Sequence, residues 1–267
     1  MPRSAKPQFE DLTETTGVPL TLEGASMMYT RYRRGAELAR MRRVLEIGCG
    51  SGQGFGLLGE EAAGLVGADF SEPLLRRARA HFRERVPLAR LSADRLPFRG
   101  RSFDLVLFFE ASYYVRDLEA ALDDIARVLT PRGIVLFVNA NPQRPDFISS
   151  PHSIQYHTAD EFRRALDLRG FEVTVEGAFP TAPDSAHQEL NVKAHLLFVA
   201  RKALSGLGLI PRTLRGRARL KRLIYGRNLP TVPPELPAGF AVEAPRTELP
   251  PGPVPGYKVI YITGTKR

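Results

Sequence analysis

From Val44 onward, short apolar runs rich in β-branched residues alternate with amphipathic stretches, the pattern of a sheet of parallel strands wound by helices on both faces. The strand runs are Val44–Ile47, Leu65–Ala68, Leu88–Ser92, Leu105–Phe109, Ile134–Val138 and Glu172–Val175. Between them, Glu72–Phe82 and Leu118–Leu129 carry apolar residues at three- and four-residue spacing, the period of a half-buried helix. Asp117 stands where an N-cap is needed, and Thr130-Pro131-Arg132-Gly133 ends the second helix, because Pro cannot continue it and Gly tolerates the turn. Asp160–Arg169 reads as another helix, with Thr158 as its N-cap and Gly170 as its stop. A helix over Leu22–Arg40 precedes the first strand, and the polar residues 1–20 read as a loose arm.

The alternation breaks after Phe179. Residues 183–229 read as two helical segments separated near Gly206–Pro211, the first largely apolar and the second basic. Nine prolines between Pro230 and Pro255 then predict an extended linker with little regular hydrogen bonding. Tyr257–Ile262 alternates again and reads as a last strand. The chain divides into an arm and lid helix (1–40), a core (41–182 with 257–267) and an insertion (183–256).

Composition narrows this picture. With 267 residues, 43% of them apolar, the chain can bury one α/β core with a small appendage. No apolar run reaches about 18 residues, and Glu10, Asp11 and Glu14 stand where a signal peptide would be apolar, so a soluble cytoplasmic protein is expected. Cys49 is the single cysteine, which excludes disulfides within the chain and thiolate metal clusters; it is read as a packed residue, and no metal site is expected. The net charge of +9 has a location: Lys193, Arg201, Lys202, Arg212, Arg215, Arg217, Arg219, Lys221, Arg222 and Arg227 fall in a stretch without Asp or Glu, leaving the rest of the chain close to neutral.

The candidate chemistry begins at Glu46-Ile47-Gly48-Cys49-Gly50-Ser51-Gly52, a glycine-rich turn between the first strand and a helix. Such a turn lets backbone approach a ligand and leaves free N–H groups at the helix start. A phosphate-binding P-loop would need Gly-Lys-Ser/Thr, and the dinucleotide fingerprint would need a third glycine where Gln53 stands. What remains, an acidic residue followed by alternating glycines, resembles the first motif of the class I methyltransferase family.

Further segments resemble that family in the right order: Asp69-Phe70 after the second strand, Ala93-Asp94-Arg95-Leu96-Pro97-Phe98 after the third, Ser102–Val106 at the fourth and Arg127–Gly133 before the fifth. The resemblance covers roughly Arg43 to Phe179 and implies a Rossmann-like doubly wound α/β sheet of about seven strands, with the late helical and Pro-rich region as an insertion. It implies S-adenosylmethionine as cofactor, held by Glu46, Gly48, Gly50, Gly52, Asp69, Phe70, Asp94 and Arg95. Asp69 would accept from the ribose hydroxyls, Phe70 would line the adenine, Asp94 would accept from the adenine amino group, and the Arg95 backbone would meet a ring nitrogen. Related enzymes use the first helix as a lid, which brings in Tyr32. Tyr29 and Tyr32, three apart, share a face and turn inward, while the neighbouring arginines are expected on a solvated face. Asp104 is expected to order the strand entrance.

For the acceptor side, Glu110 and Tyr113 follow the fourth strand, with Tyr113-Tyr114 where many relatives carry Glu-His. His157, in the segment after the fifth strand, is a candidate general base, as are Glu110 and Tyr113, with His152 and His187 behind them. The expected function is O-methylation of a small molecule, anionic acceptors included, in secondary metabolism or glycan modification. The alternatives are an RNA or membrane-lipid methyltransferase contacting its partner through residues 190–234, and a non-catalytic Rossmann-like interaction module.

Overall fold

The computed structural model describes residues 15–150, 152–181 and 230–267. The expected helical segments of 183–229, with His187, lie outside these residues.

Helix α1 (Leu22–Ala39) is capped by the Thr21 side chain, which accepts from the Gly24 N–H, and it buries Ala25, Met28, Tyr29, Tyr32 and Ala36. Strand β1 (Arg43–Ile47), helix α2 (Phe55–Glu61), strand β2 (Gly64–Asp69), helix α3 (Glu72–Phe82) and strand β3 (Leu88–Arg90) follow in alternation. Strand β4 (Phe103–Phe109) leads through one 3₁₀ turn, Ser112–Tyr114, to helix α4 (Leu118–Val128), whose N-terminus Asp117 caps as expected. Strand β5 (Leu129–Ala140), helix α5 (Ala159–Asp167), strand β6 (Phe171–Pro180), strand β7 (Arg246–Glu248) and strand β8 (Tyr257–Lys266) complete the order. Thr158 and Glu161 form a reciprocal capping box at the start of α5.

The sheet has eight strands in the order β3-β2-β1-β4-β5-β8-β6-β7. The first five are parallel, and β8 runs antiparallel between β5 and β6. The order reverses between β1 and β4, and in open sheets of this kind ligands bind at such a point, beyond the carboxyl ends of the strands. One core lies between the sheet and α1–α3, around Leu58, Leu75, Leu107 and Tyr261. The other lies beneath α4 and α5, around Ile125, Phe137, Phe162 and Ile262.

Three expectations change. Strand β5 begins at Leu129, because Phe103 pairs with Leu129 while Leu105 already pairs with Ile134. Residues 130–133 are accommodated as a bulge in the strand, with Arg132 at φ 64°. Residues 15–20 are not loose: Gly17 N–H donates to Val232 O and Val232 N–H to Val18 O, burying Thr15 and Leu20. Residues 230–256 are not a bare linker, since they bury Val232, Leu236, Leu249 and Val254 and supply β7 as the eighth strand. No helix among the described residues is long and apolar enough to cross a membrane.

Candidate functional site

Register brings the predicted donor residues together. Glu46, near the end of β1, points to the α1 face and is fully buried. Its Oε1 accepts from the Tyr32 hydroxyl at 2.9 Å, whereas its Oε2 has no hydrogen-bond partner among the described residues. Burial pushes the Glu46 carboxyl up to about 8, against the opposing pull of the Tyr32 hydrogen bond and the Arg31 charge. Tyr32 reaches this position because Gly54 has no side chain: a Cβ there would lie 1.9 Å from the ring. The ring also packs edge-on to Phe109, with centroids 5.3 Å apart.

The three motif glycines all adopt positive φ, 73° at Gly48, 57° at Gly50 and 82° at Gly52, which other residues reach only with strain. They differ in what surrounds them. Side chains at Gly48 and Gly52 would strike Ala111 at 2.5 Å and Phe55 at 2.6 Å, so these two serve close packing. At Gly50 a Cβ would meet Gln53 Oε1 at an ordinary contact distance of 3.6 Å, so the positive φ rather than close packing calls for glycine there. Asp69, at the end of β2, accepts from the Gly50 N–H at 2.8 Å and from the Ser71 N–H at 2.7 Å. Burial raises its carboxyl above the usual range, although these backbone donors pull the other way. Cys49 is a buried thiol whose ionisation burial pushes up, as a packing role requires.

Beside Asp69, Phe70 keeps 43% of its surface exposed. The Leu91 N–H donates to Asp69 O at 3.1 Å, which sets the chain after β3 next to the end of β2. Asp94 follows, half-buried, in the turn Ser92–Arg95, where the Arg95 N–H is directed to Ser92 O at 3.2 Å. Asp104 orders the strand entrance as expected, accepting from the backbone and the guanidinium of Arg43. The hydrogen bond from Arg43 holds its carboxyl at about 2.

On the acceptor side, Glu110 turns the chain sharply at the end of β4, with φ 48°. Its Oε2 accepts from the Tyr113 hydroxyl at 2.9 Å. The Tyr113 ring stacks on Tyr156 with centroids 4.3 Å apart, and the Ile154 N–H donates to Tyr113 O at 2.8 Å, so residues 154–156 pack on this turn. His157 goes elsewhere: its ring lies edge-on to Phe162 of α5 at 5.9 Å. Tyr156 and His157 thus face different ways, the first toward Tyr113 and the second toward α5. His152 is exposed.

Sequence reasoning missed four further residues. Arg31, expected on a solvated face, is buried at 5% exposure and lies 5.5 Å from the Tyr32 ring centroid. Tyr261 of β8 is fully buried, with a hydroxyl that has no partner among the described residues. Gln53 is buried, and its carbonyl accepts from the Leu236 N–H at 2.8 Å. Ser51 shares a hydrogen bond with Thr16 at 3.0 Å. No group of three metal-ligating side chains occurs among the described residues.

Residues 45–137 match the model of a family described as a methyltransferase domain. The chain is 31% identical over 147 residues to a probable S-adenosylmethionine-dependent methyltransferase of Mycolicibacterium smegmatis, spanning 53% of this chain and 56% of that protein. It is 34% identical over 105 residues to a fatty-acid O-methyltransferase of the same organism, spanning 38% of each. The chain thus spans about half or less of the length of these curated relatives. Among solved structures, a SAM-dependent methyltransferase from Archaeoglobus fulgidus superposes with a TM-score of 0.56 at 15% identity, covering 91% of this chain and 94% of that one, a likeness of fold.

Proposed function

We propose, for a chain that belongs through residues 45–137 to the class I S-adenosylmethionine-dependent methyltransferases, that it transfers a methyl group from S-adenosylmethionine to the hydroxyl of a small molecule. The observation that carries the donor half is the second oxygen of Glu46, buried at the end of β1 and without a partner among the described residues. A buried carboxylate oxygen is costly unless something donates to it, and a ligand ammonium is such a donor.

When bound, S-adenosylmethionine supplies a methyl group already activated on a sulfonium, so the protein's task is alignment and exclusion of water. Glu46 would face the ammonium and Asp69 the ribose hydroxyls. Phe70 and Asp94 would flank the adenine, with the Arg95 backbone in the same turn. The backbone N–H groups of Gly50 and Ser71 orient the Asp69 carboxylate for such a contact.

A hydroxyl acceptor must lose its proton as the new bond to carbon forms. Glu110 is the base best supported, because it sits at the end of β4 beside the switch point and is oriented by Tyr113. The proton moves to its carboxylate. The reading of oxygen as acceptor is also supported by the similarity to the fatty-acid O-methyltransferase. An anionic acceptor fits the basic residues of 190–234, and comparing RNA and liposome binding at low and high salt tests the nucleic-acid and membrane readings of that segment. The primary test is calorimetric titration with S-adenosylmethionine. Binding weaker than about a millimolar dissociation constant would exclude the enzyme reading.

A further inference from the structure

The Pro-rich segment that precedes β7 makes contacts that a passive connection would not. From Pro230 to Ala244 it binds the arm 15–20, the glycine turn and α1 in succession. Val232 pairs with Val18, and Thr16 in that same arm shares a hydrogen bond with Ser51 of the glycine turn. The Leu236 N–H donates to Gln53 O at 2.8 Å, inside the turn. The Gly239 N–H donates to the Tyr29 hydroxyl at 2.7 Å and the Ala244 N–H to Thr30 Oγ1 at 3.0 Å, both on α1. Ser26 donates to Val242 O. Val232 and Leu236 are buried, so apolar burial reinforces the hydrogen bonds.

Glu235 fixes the middle of this segment. Its Oε2 meets His81 Nε2 of α3 at 2.9 Å and the Arg85 guanidinium at 3.2 Å. Its Oε1 fills the space over Gly56 of α2, where a Cβ would come within 2.5 Å of that oxygen. Burial alone would raise the Glu235 carboxyl, but the hydrogen bonds from His81 and Arg85 outweigh it and hold the group below the usual carboxylate range. One carboxylate thus joins the segment to both helices that follow the donor-site strands, and the next residue holds the turn.

We propose that residues 230–244 form a clasp over the donor turn, with Glu235 as the positioning residue that locks it, so that cofactor retention is set partly from outside the motif. This rests on the reading of the turn as an S-adenosylmethionine site. The glycines give the turn its shape but also its freedom, since a glycine-rich segment has the most backbone entropy to lose. The clasp removes part of that freedom before a ligand arrives, and pre-organisation of this kind slows release more than it speeds capture.

The test measures S-adenosylmethionine release by stopped flow, together with hydrogen exchange of residues 51–58 in the free protein. Glu235→Ala should speed release about five- to tenfold, because the hydrogen bonds to both His81 and Arg85 are lost at the lock, and should deprotect those amides. Glu235→Gln, which keeps an acceptor oxygen, should lie between Glu235→Ala and the wild type. Arg85→Ala, on an exposed side chain, provides a second variant if Glu235→Ala folds poorly, and it should shift both readings in the same direction. A release rate within twofold of wild type in a folded variant, with unchanged exchange, overturns the clasp while leaving the cofactor assignment intact. If the wild-type protein binds no S-adenosylmethionine, the functional reading fails and the exchange measurement alone decides the clasp: unchanged protection in the variants overturns it.

Discussion

Glu46→Gln should stabilise the protein without ligand and weaken its hold on the cofactor. The carboxyl is fully buried, and its native-state value of about 8 stands above an ordinary value of 4.5. Below about pH 4.5 the group is protonated in both the folded and the unfolded chain, so it imposes no penalty. As pH rises, the unfolded chain releases the proton while the folded chain keeps it, and stability falls until the native group also ionises near pH 8. At about 1.4 kcal/mol for each tenfold step, the displacement from 4.5 to about 8 comes to about 5 kcal/mol lost by pH 8. Glutamine keeps an oxygen for the Tyr32 hydroxyl and never ionises.

The two proteins should therefore be of similar stability near pH 5 and diverge by several kcal/mol at pH 8, with the variant the more stable. Urea unfolding followed by circular dichroism at pH 5, 6, 7 and 8 measures the difference, and titrations common to both chains cancel in it. Affinity for S-adenosylmethionine should move oppositely: in the wild type it should tighten as pH rises toward 8, because the carboxylate must ionise to meet an ammonium, and in the variant it should be weak and flat. Parallel stability curves for the two proteins would refute the placement of Glu46 as an unsolvated carboxyl.

Asp69→Ala should weaken S-adenosylmethionine binding by about 1–3 kcal/mol, since a charged acceptor is lost and the Gly50 N–H loses its tie; an unchanged calorimetric titration would remove Asp69 from the site. Gly54→Ala should destabilise the fold by about 1–3 kcal/mol, because the new Cβ displaces the Tyr32 ring and with it the bond to Glu46. Thermal unfolding checks this, and a neutral result would show that the ring repacks freely. Glu110→Gln should lower kcat by about 10²–10⁴ with little change in S-adenosylmethionine affinity if the carboxylate is the base; a fall in affinity with kcat retained would assign it to the donor side.

The donor residues were legible in the sequence because they sit where two local signals coincide, a short apolar strand run and the glycine or acidic residue that ends it. Asp104 was legible as a structural residue because it stands at the start of the β4 run, where Arg43 bonds it from the neighbouring strand. Arg31 was not, because a cluster of basic residues on a helix reads as solvated until the position of the sheet fixes which side is inside. The Pro-rich segment was read only for what proline removes. Its remaining N–H groups find partners in Gln53, Tyr29 and Thr30, and those partners are 180 or more residues away in sequence. Strand β7 is three residues long and exists through pairing with β6, so no local pattern announces it.

This separation explains why the two halves of the site differ in definition. The proposed donor half is built on strand ends in fixed register, which set where its side chains lie. On the proposed acceptor side Tyr156 faces Tyr113 while His157 lies against Phe162, and which of these neighbours does so depends on the phase of the irregular residues 152–156. Between the halves stands α1, docked by an interlock of three residues: Gly54 admits the Tyr32 ring, and the Tyr32 hydroxyl holds Glu46. A hydrogen bond to an ionised carboxylate is stronger than one to a neutral acid. On the proposed reading, a ligand ammonium that draws Glu46 into its ionised form also strengthens the Tyr32 bond, so cofactor binding and the seating of α1 reinforce each other. On that reading a helix seated by the Tyr32 hydroxyl responds to the charge state of Glu46, and the arrival of the donor tightens its seat.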